Sequence, residues 1–443
     1  MGIILAIFVF SVLVIFHEMG HFLIAKKNGI GVTEFSIGMG PRLFSFVKGG
    51  TRYSLKLIMF GGSCAMVGND MFEAEYQKDD EEEEESIEGI KDEREDSFNN
   101  KSVWARIAVI AAGPIFNFIL AWVLAVVLIG LEGFTNTEIT GIAKKGAAAQ
   151  AGLEVGDEIK EYNGHKLTIG DDFYMYTTFE PITGDPISVT YERDGKEYKT
   201  QINPAIWYAV GISYTANKKE AEIQVSKKSA ADLAGLKSGD VVAAINGNKI
   251  GSGEELSEYT TENPFTKDEV EITVLRDGEE KVFNVTPQNA GYYIGLSVGA
   301  QEKGNALQVL RYSFTQLRYN IEVTVKSFGM LFTGKLNKDD VSGVVGIVKI
   351  VGDSYEETRP YGPYYVFLQI VYLLIIFSVN LGVVNLFPFP ALDGGRLVFL
   401  IIEAIRRKPV SKKVEAYFTL AGVLILFALM ILIMINDITK FFR

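Results

Sequence analysis

The feature that most constrains this chain is an apolar run from Ile3 to Ala25, interrupted by His17-Glu18-Met19-Gly20-His21. A helix of about 20 residues, rising ~1.5 Å per residue, covers the ~30 Å of bilayer hydrocarbon, so the run is long enough to span. Ionisable residues inside a span are costly unless they have a use. Helical positions four apart share a face, so both imidazoles can hold one Zn2+, and Glu18, one step round, reaches a water at the ion. The bland alternative is a soluble buried helix whose polar residues pair with one another.

Three further runs are candidate spans: Val103–Gly130, Tyr364–Leu386 and Tyr417–Ile435. With 48% apolar and 22% charged residues, the two classes must be segregated along the chain. The first run lacks a basic leader and a small-residue cleavage site, so it reads as retained rather than as a signal peptide. Lys and Arg set orientation through the short flanking loops. Lys26, Lys27, Arg42, Lys48, Arg52 and Lys56 follow the first span, Lys101 and Arg106 open the second, and Arg396 to Lys413 separates the last two. Those segments are expected to be cytoplasmic, which leaves the N-terminus, the long 131–363 segment and the C-terminus outside.

The net charge of −12 is local: residues 73–96 carry 14 acidic against three basic side chains, which leaves −1 for the remainder. Such a tract buries too little apolar surface to fold and reads as a disordered cytoplasmic loop, with a metal-buffering or regulatory role left open. The single Cys64 excludes an intrachain disulfide. No basic patch interleaved with aromatics points to nucleic acid.

Ala151-Gly152-Leu153-Glu154-Val155-Gly156-Asp157 recurs 83 residues later as Ala234-Gly235-Leu236-Lys237-Ser238-Gly239-Asp240. The same shift carries Asn163-Gly164 onto Asn246-Gly247, and Arg193-Asp194-Gly195 onto Arg276-Asp277-Gly278. Each copy reads as a short helix, a strand, an Asn-Gly turn, a second helix and a hairpin. The pair resembles tandem PDZ domains of the form common in bacterial proteases. Such domains bind extended peptides by adding a strand to a sheet edge; acting as a steric filter for bulky substrates is an equal alternative. His165 reads as a surface residue. Leu307–Phe332 mixes apolar residues with Arg311, Arg318, Glu322 and Lys326, and is expected to be an amphipathic helix on the outer membrane face or against the repeats.

Zinc in hydrolases usually has three protein ligands and an open position. The chain has three His in all, so a carboxylate is required, and Asp393 in Asn385-Leu386-Phe387-Pro388-Phe389-Pro390-Ala391-Leu392-Asp393-Gly394-Gly395 is the candidate. Asp-Gly is also a common turn dipeptide. Pro388 and Pro390 break the third span near its cytoplasmic end, and His17 lies ~21 Å along the first run, so both stand at similar depth.

HExxH in a first span, Asn-x-x-Pro-x-Pro-x-Leu-Asp-Gly in a third, and tandem PDZ-like repeats between them resemble the site-2 protease family, specifically RseP-type intramembrane zinc proteases. The resemblance covers nearly the whole chain. It implies that His17, His21 and Asp393 ligate zinc and that Glu18 is the catalytic base. It further implies substrate-handling roles for Asn385, Pro388 and Pro390, and Ala112-Gly113-Pro114 with Asn117 matches another family signature, placing Asn117 with them. Ser342-Gly343-Val344 departs from a family Ser-Gly-Pro stretch.

The expected fold is therefore a polytopic α-helical membrane protein of four transmembrane helices, with two extracytoplasmic mixed α/β PDZ-like domains and a short membrane-associated β element. The expected divisions are 1–28 (first span), 29–72 (β region), 73–100 (acidic loop), 101–131 (second span), 132–207 and 208–300 (repeats), 301–362 (amphipathic segment), 363–387 (third span), 388–414 (Asp393 motif and loop) and 415–437 (fourth span). Within the β region, Arg52–Gly68 alternates apolar and polar residues and is expected to be a hairpin turning at Gly61-Gly62, with an edge that can pair with an unwound substrate. The resemblance implies cleavage of single-span membrane proteins in a bacterial plasma membrane. A membrane-anchored PDZ adaptor and a zinc carrier are the rival classes.

Overall fold

Gly49 and Gly50 both have positive φ, 58° and 76°, the requirement of a two-residue I′ turn, and they join strands β1 (Val32–Lys48) and β2 (Thr51–Met66). The hairpin turn is therefore here and not at Gly61-Gly62, as the alternation had suggested. Both strands bend instead: Gly38, Gly40 and Gly61 take positive φ inside them. As a result residues 34–37 face Arg52–Leu55 on one side and Gly62–Ala65 on the other, while Phe44–Lys48 face Thr51–Leu55. The segment 62–66 lies at the edge of this folded sheet. Buried Glu34 pins the bends, accepting from Ser54 Oγ at 2.6 Å and Arg42 Nε at 2.9 Å, with Lys56 Nζ at 3.2 Å.

The computed structural model describes residues 2–68, 95–143, 146–216, 218–335 and 341–441. Most of the acidic tract, through residue 94, lies outside the described residues. Two units are distinguished, Phe134–Glu302 and the remainder of the chain.

In the larger unit, α1 (Gly2–Lys27) precedes β1, and α2 (Val103–Glu132) follows the β element. Ser102 caps α2, its side chain accepting from Ala105 N. After the inserted unit come the helices of residues 306–332, 344–358, 363–386, 393–406 and 412–441. Those of residues 2–27, 103–132, 363–386 and 413–439 are long and apolar enough to cross a membrane. Leu13 of α1, Leu120 of α2 and Leu374 of the 363–386 helix share one apolar cluster. A Cβ on Gly20 would collide with the Ala112 carbonyl, so the small residue lets α1 and α2 approach.

The smaller unit begins with β3 (Phe134–Thr135), β4 (Ile139–Ile142) and α3 (Ala147–Gln150). Its first sheet comprises β5 (Glu158–Tyr162), β6 (His165–Lys166), β7 (Ile187–Arg193) and β8 (Lys196–Ile202), with α4 (Gly170–Phe179) between β6 and β7. Strands β9 (Ala205–Ala209), β10 (Ile212–Tyr214) and β11 (Ile223–Val225) and helix α5 (Ala230–Ala234) lead to a second sheet. That sheet comprises β12 (Val241–Ile245), β13 (Asn248–Lys249), β14 (Val270–Arg276) and β15 (Glu279–Val285), with α6 (Gly253–Glu262) inserted. The orders match: β6-β5-β7-β8 and β13-β12-β14-β15. The repeated residues explain why. Asp157 accepts from Arg193 Nε at 2.6 Å and from Glu154 N at 2.8 Å; Asp240 accepts from Arg276 Nε at 2.6 Å and Lys237 N at 2.8 Å.

The last strands of the unit are β16 (Gln288–Tyr293), β17 (Leu296–Val298) and β18 (Gln301–Glu302). They return to the first copy, since β16 pairs with β9, β17 with β4 and β18 with β3. Strand β17 serves β4 as β10 serves β11, so the second copy is nested in the first and the expected division at 207/208 does not separate them. The recurrence of Val210-Gly211-Ile212-Ser213 as Ile294-Gly295-Leu296-Ser297 carries this signal in the sequence.

Helix α7 (Ala306–Phe332) opens with an Asn305–Gln308 capping box. Its apolar stripe, Leu317 and Ile321, joins the cluster of Ala121, Ala125, Val371 and Ile375. This stripe is thus covered by α2 and the 363–386 helix, against which Thr324 Oγ1 also donates to Asn380 Oδ1 at 2.6 Å and Phe328 packs on Phe387 at 4.9 Å. Helix α8 (Val344–Thr358) starts at Gly343, and Val344 holds the first helical position, one that the family proline also suits. Helices α9 (Pro363–Leu386), α10 (Asp393–Arg406) and α11 (Lys412–Phe441) complete the chain, and Asp437 of α11 caps α8 by accepting from Gly343 N at 2.9 Å and Gly346 N at 2.8 Å.

Candidate metal centre

His17 and His21 stand one helical turn apart on α1, buried, with ring centroids 4.9 Å apart. Asp393 reaches them from the first turn of α10. Its Oδ2 lies 3.1 Å from His17 Nε2 and 3.4 Å from His21 Nε2, and the two Nε2 atoms are 3.3 Å apart. The structure therefore brings together three ligand-type atoms that are 376 residues apart at their extremes in sequence.

How Asp393 arrives is set by the loop before it. Helix α9 ends at Leu386, where Pro388 and Pro390 follow, and Phe389 N and Leu392 N bond to Phe387 O (2.7 Å) and Phe389 O (3.2 Å). A Cβ on Gly394 would collide with the Phe387 carbonyl and one on Gly395 with the Phe389 carbonyl, so the Gly-Gly pair lets the loop fold onto the helix start. Ala391 takes φ +72°, a left-handed conformation uncommon outside glycine. On the far side, Leu397 and Leu400 join the cluster of Val109 and Ile110, and Glu403 forks onto Arg106, with Nη1 to Oε2 at 3.1 Å. Helix α10 is thereby seated on α2.

Helix α2 also holds the imidazoles. Val109 O lies 2.8 Å from His21 Nδ1 and Asn117 Nδ2 lies 3.1 Å from His17 Nδ1. Between them, Gly113 leaves room for both rings: a Cβ there would stand 2.6 Å from His21 Cε1 and 2.8 Å from His17 Cε1. With both Nδ1 atoms turned to protein partners, both Nε2 atoms are turned toward Asp393. Asp393 Oδ2 is itself buried with no hydrogen-bond partner among the described residues. An orphaned carboxylate oxygen facing two imidazole nitrogens is a donor set that fits a divalent cation, and Zn2+ takes this combination of ligands.

Glu18 faces the β element. A Cβ on Gly62 would lie 3.5 Å from Glu18 Cγ, and the Cys64 backbone hydrogen-bonds its carboxylate. The edge segment 62–66 thus borders the centre.

The remaining sequence candidates outside α2 fall elsewhere. Asn385 is half-buried on the last turn of α9, Pro388 is exposed, and Pro390 packs against Gly422 of α11. Asn117, fully buried, touches His17. His165 stacks on Tyr176 at 4.1 Å and meets Glu180 at 2.9 Å, in the inserted unit. Sequence reasoning missed the Val109 carbonyl, and it marked Gly113 only as part of a family signature without its role beneath the rings; the spacing Val109, Gly113, Asn117, every four residues, was the available sign.

Comparison with known proteins agrees with the geometry. The model of "Peptidase family M50" matches residues 5–429. The zinc metalloprotease RasP of Geobacillus kaustophilus is 30% identical over 100% of this chain and 98% of its own. The regulator of sigma-W protease RasP of Bacillus subtilis is 29% identical, with 98% of each chain covered. A family match across nearly the whole length, carried by a chain with four helices fit to span a membrane, means that this protein belongs to peptidase family M50, the zinc metalloproteases.

Proposed function

We propose that the protein hydrolyses peptide bonds within the membrane-spanning segments of single-span proteins, using Zn2+ held by His17, His21 and Asp393. The observation that carries this reading is the convergence of those three side chains beside Glu18. Bound there, zinc supplies a Lewis acid that polarises the scissile carbonyl and acidifies water. Glu18 takes the proton of the attacking water and returns it to the departing amine. The carboxylate is steadied for this by the Cys64 backbone.

A helical substrate hides its carbonyls, so it must unwind, and the edge segment 62–66 offers backbone partners next to Glu18 for an extended chain. Met39, Leu43, Phe44, Phe46, Val47, Leu57 and Ile58 of the β element are all exposed, which fits a sheet dipping into lipid. Asn385, Pro388 and Pro390 keep a substrate-handling role in this reading, on the loop that delivers Asp393. The basic flanks support a centre toward the cytoplasm, with the termini and inserted unit outside. In that unit the two copies, read as PDZ-like domains, act as peptide binders or as a size filter, which suits substrates whose outer part has already been trimmed. Membrane-tethered anti-sigma factors and signal-peptide remnants are the substrate class, in keeping with a relative named for sigma-W regulation.

The test is cleavage of a model single-span peptide by purified protein. Intact enzyme is expected to cut it and Glu18→Gln to bind zinc without cutting. Cleavage retained in Glu18→Gln overturns the assignment; zinc without cleavage in the intact protein would favour a carrier.

A further inference from the structure

We propose that Asn117 is a positioning residue for His17, fixing the tautomer that presents Nε2 to the metal, and that it has no contact with substrate. The inference rests on the zinc reading of His17, His21 and Asp393. For a neutral imidazole to offer Nε2 as a lone pair, its proton must sit on Nδ1, and that N–H needs an acceptor. His21 has one in the Val109 carbonyl, at 2.8 Å. For His17 the neighbour at Nδ1 is the Asn117 side-chain amide, at 3.1 Å.

The two ends of an amide occupy nearly the same space, and their assignment follows from hydrogen bonding. With Nδ2 toward His17, the amide donates, the proton is left on Nε2 and the face toward Asp393 is blocked for a cation. In that orientation Asn117 Oδ1 is buried with no partner among the described residues. Turning the amide by half a rotation sets Oδ1 against Nδ1–H, gives the oxygen a donor and frees Nε2. The loaded site therefore requires the turned amide. Asn117 is 0% exposed, so no substrate atom can reach it. It is also well anchored, since its main-chain carbonyl accepts from Ser378 Oγ of α9 at 2.7 Å.

One stripe of α2 thus supplies both acceptors, Val109 and Asn117, eight residues apart, with Gly113 beneath the rings at the midpoint. A backbone carbonyl cannot be removed by substitution; the amide can.

The experiment measures zinc affinity of the full-length protein in detergent by chelator competition, with the Co2+ absorption spectrum as a second readout. Asn117→Ala is expected to weaken zinc binding ~10–100-fold and to shift the Co2+ bands, whereas Asn117→Asp, which keeps an acceptor, holds wild-type affinity or better. Metal-free Asn117→Ala is expected to melt close to metal-free wild type. Wild-type affinity in Asn117→Ala overturns the proposal. So does an equal loss in the Ala and Asp variants, or a melting point far below wild type in the metal-free Ala protein, which would mark a packing role. His17→Ala is the separate control: if it keeps zinc, the metal-site reading itself fails, along with this one.

Discussion

Gly113 lies directly beneath His21, so close that a Cβ at that position would collide with the ring nitrogen Nε2 and stand 2.6 Å from Cε1. In an ordinary helix Gly→Ala gains up to ~1 kcal/mol, so the two effects of adding this methyl can be separated. Gly113→Ala is expected to cost the metal-free fold only ~0–2 kcal/mol, the helical gain offsetting part of the overpacking against the rings, while lowering zinc affinity and cleavage at least ~10-fold by displacing both imidazoles. Metal content and peptide cleavage on the same preparation check this; unchanged zinc binding would refute it.

The Arg106–Glu403 fork seats α10 on α2 and so sets where Asp393 arrives. Both side chains are largely buried, at 12% and 17% exposure. Removing one partner leaves a charge unpaired, so Glu403→Ala is expected to cost ~2–4 kcal/mol and to reduce cleavage through a displaced Asp393. Arg106→Met with Glu403→Met, which leaves no orphaned charge, should recover most of the stability. Thermal unfolding of the single and double variants in detergent decides it.

Ala391, two residues before Asp393, holds φ +72°. Glycine adopts that conformation freely, so Ala391→Gly is expected to raise the melting point by the equivalent of ~1 kcal/mol and Ala391→Val to lower it by more. Equal melting points for all three would show that the loop carries no strain there.

The repeated Asp–Arg pairs give the inserted unit an acid limit. Burial alone would raise the Asp240 carboxyl, but hydrogen bonds from Arg276 and the Lys237 backbone outweigh it and hold it below the usual range. A carboxylate depressed in the fold stabilises fully above its ordinary value near ~4, and that contribution fades as pH falls through the lower folded value. Asp240→Asn is expected to cost ~1–3 kcal/mol at neutral pH, moderated because Arg276 is partly exposed, and to converge with wild type in strong acid. Unfolding curves at neutral and acid pH test the sign; a cost that grows on acidification would contradict it.

Features that depend on neighbours in sequence were legible without coordinates. Four apolar runs, a four-residue His spacing, an Asp after two prolines and an 83-residue repeat are local patterns set by helix rise, helix pitch and turn chemistry, and the helices, the metal-type cluster and the paired sheets follow them. What tertiary structure decided was partnership. A run of glycines permits a turn at 49–50 or at 61–62 equally well, and only pairing across the bent sheet chose the former. The amphipathic stripe of α7 required an apolar cover but did not say which, and α2 with α9 supplied it. The strand that completes the first repeat came from beyond the second, because an exposed sheet edge accepts any strand of fitting register. Asn117, marked in the sequence by a family signature alone, meets an imidazole 100 residues away, a relation that helix packing creates and that no spacing along the chain records.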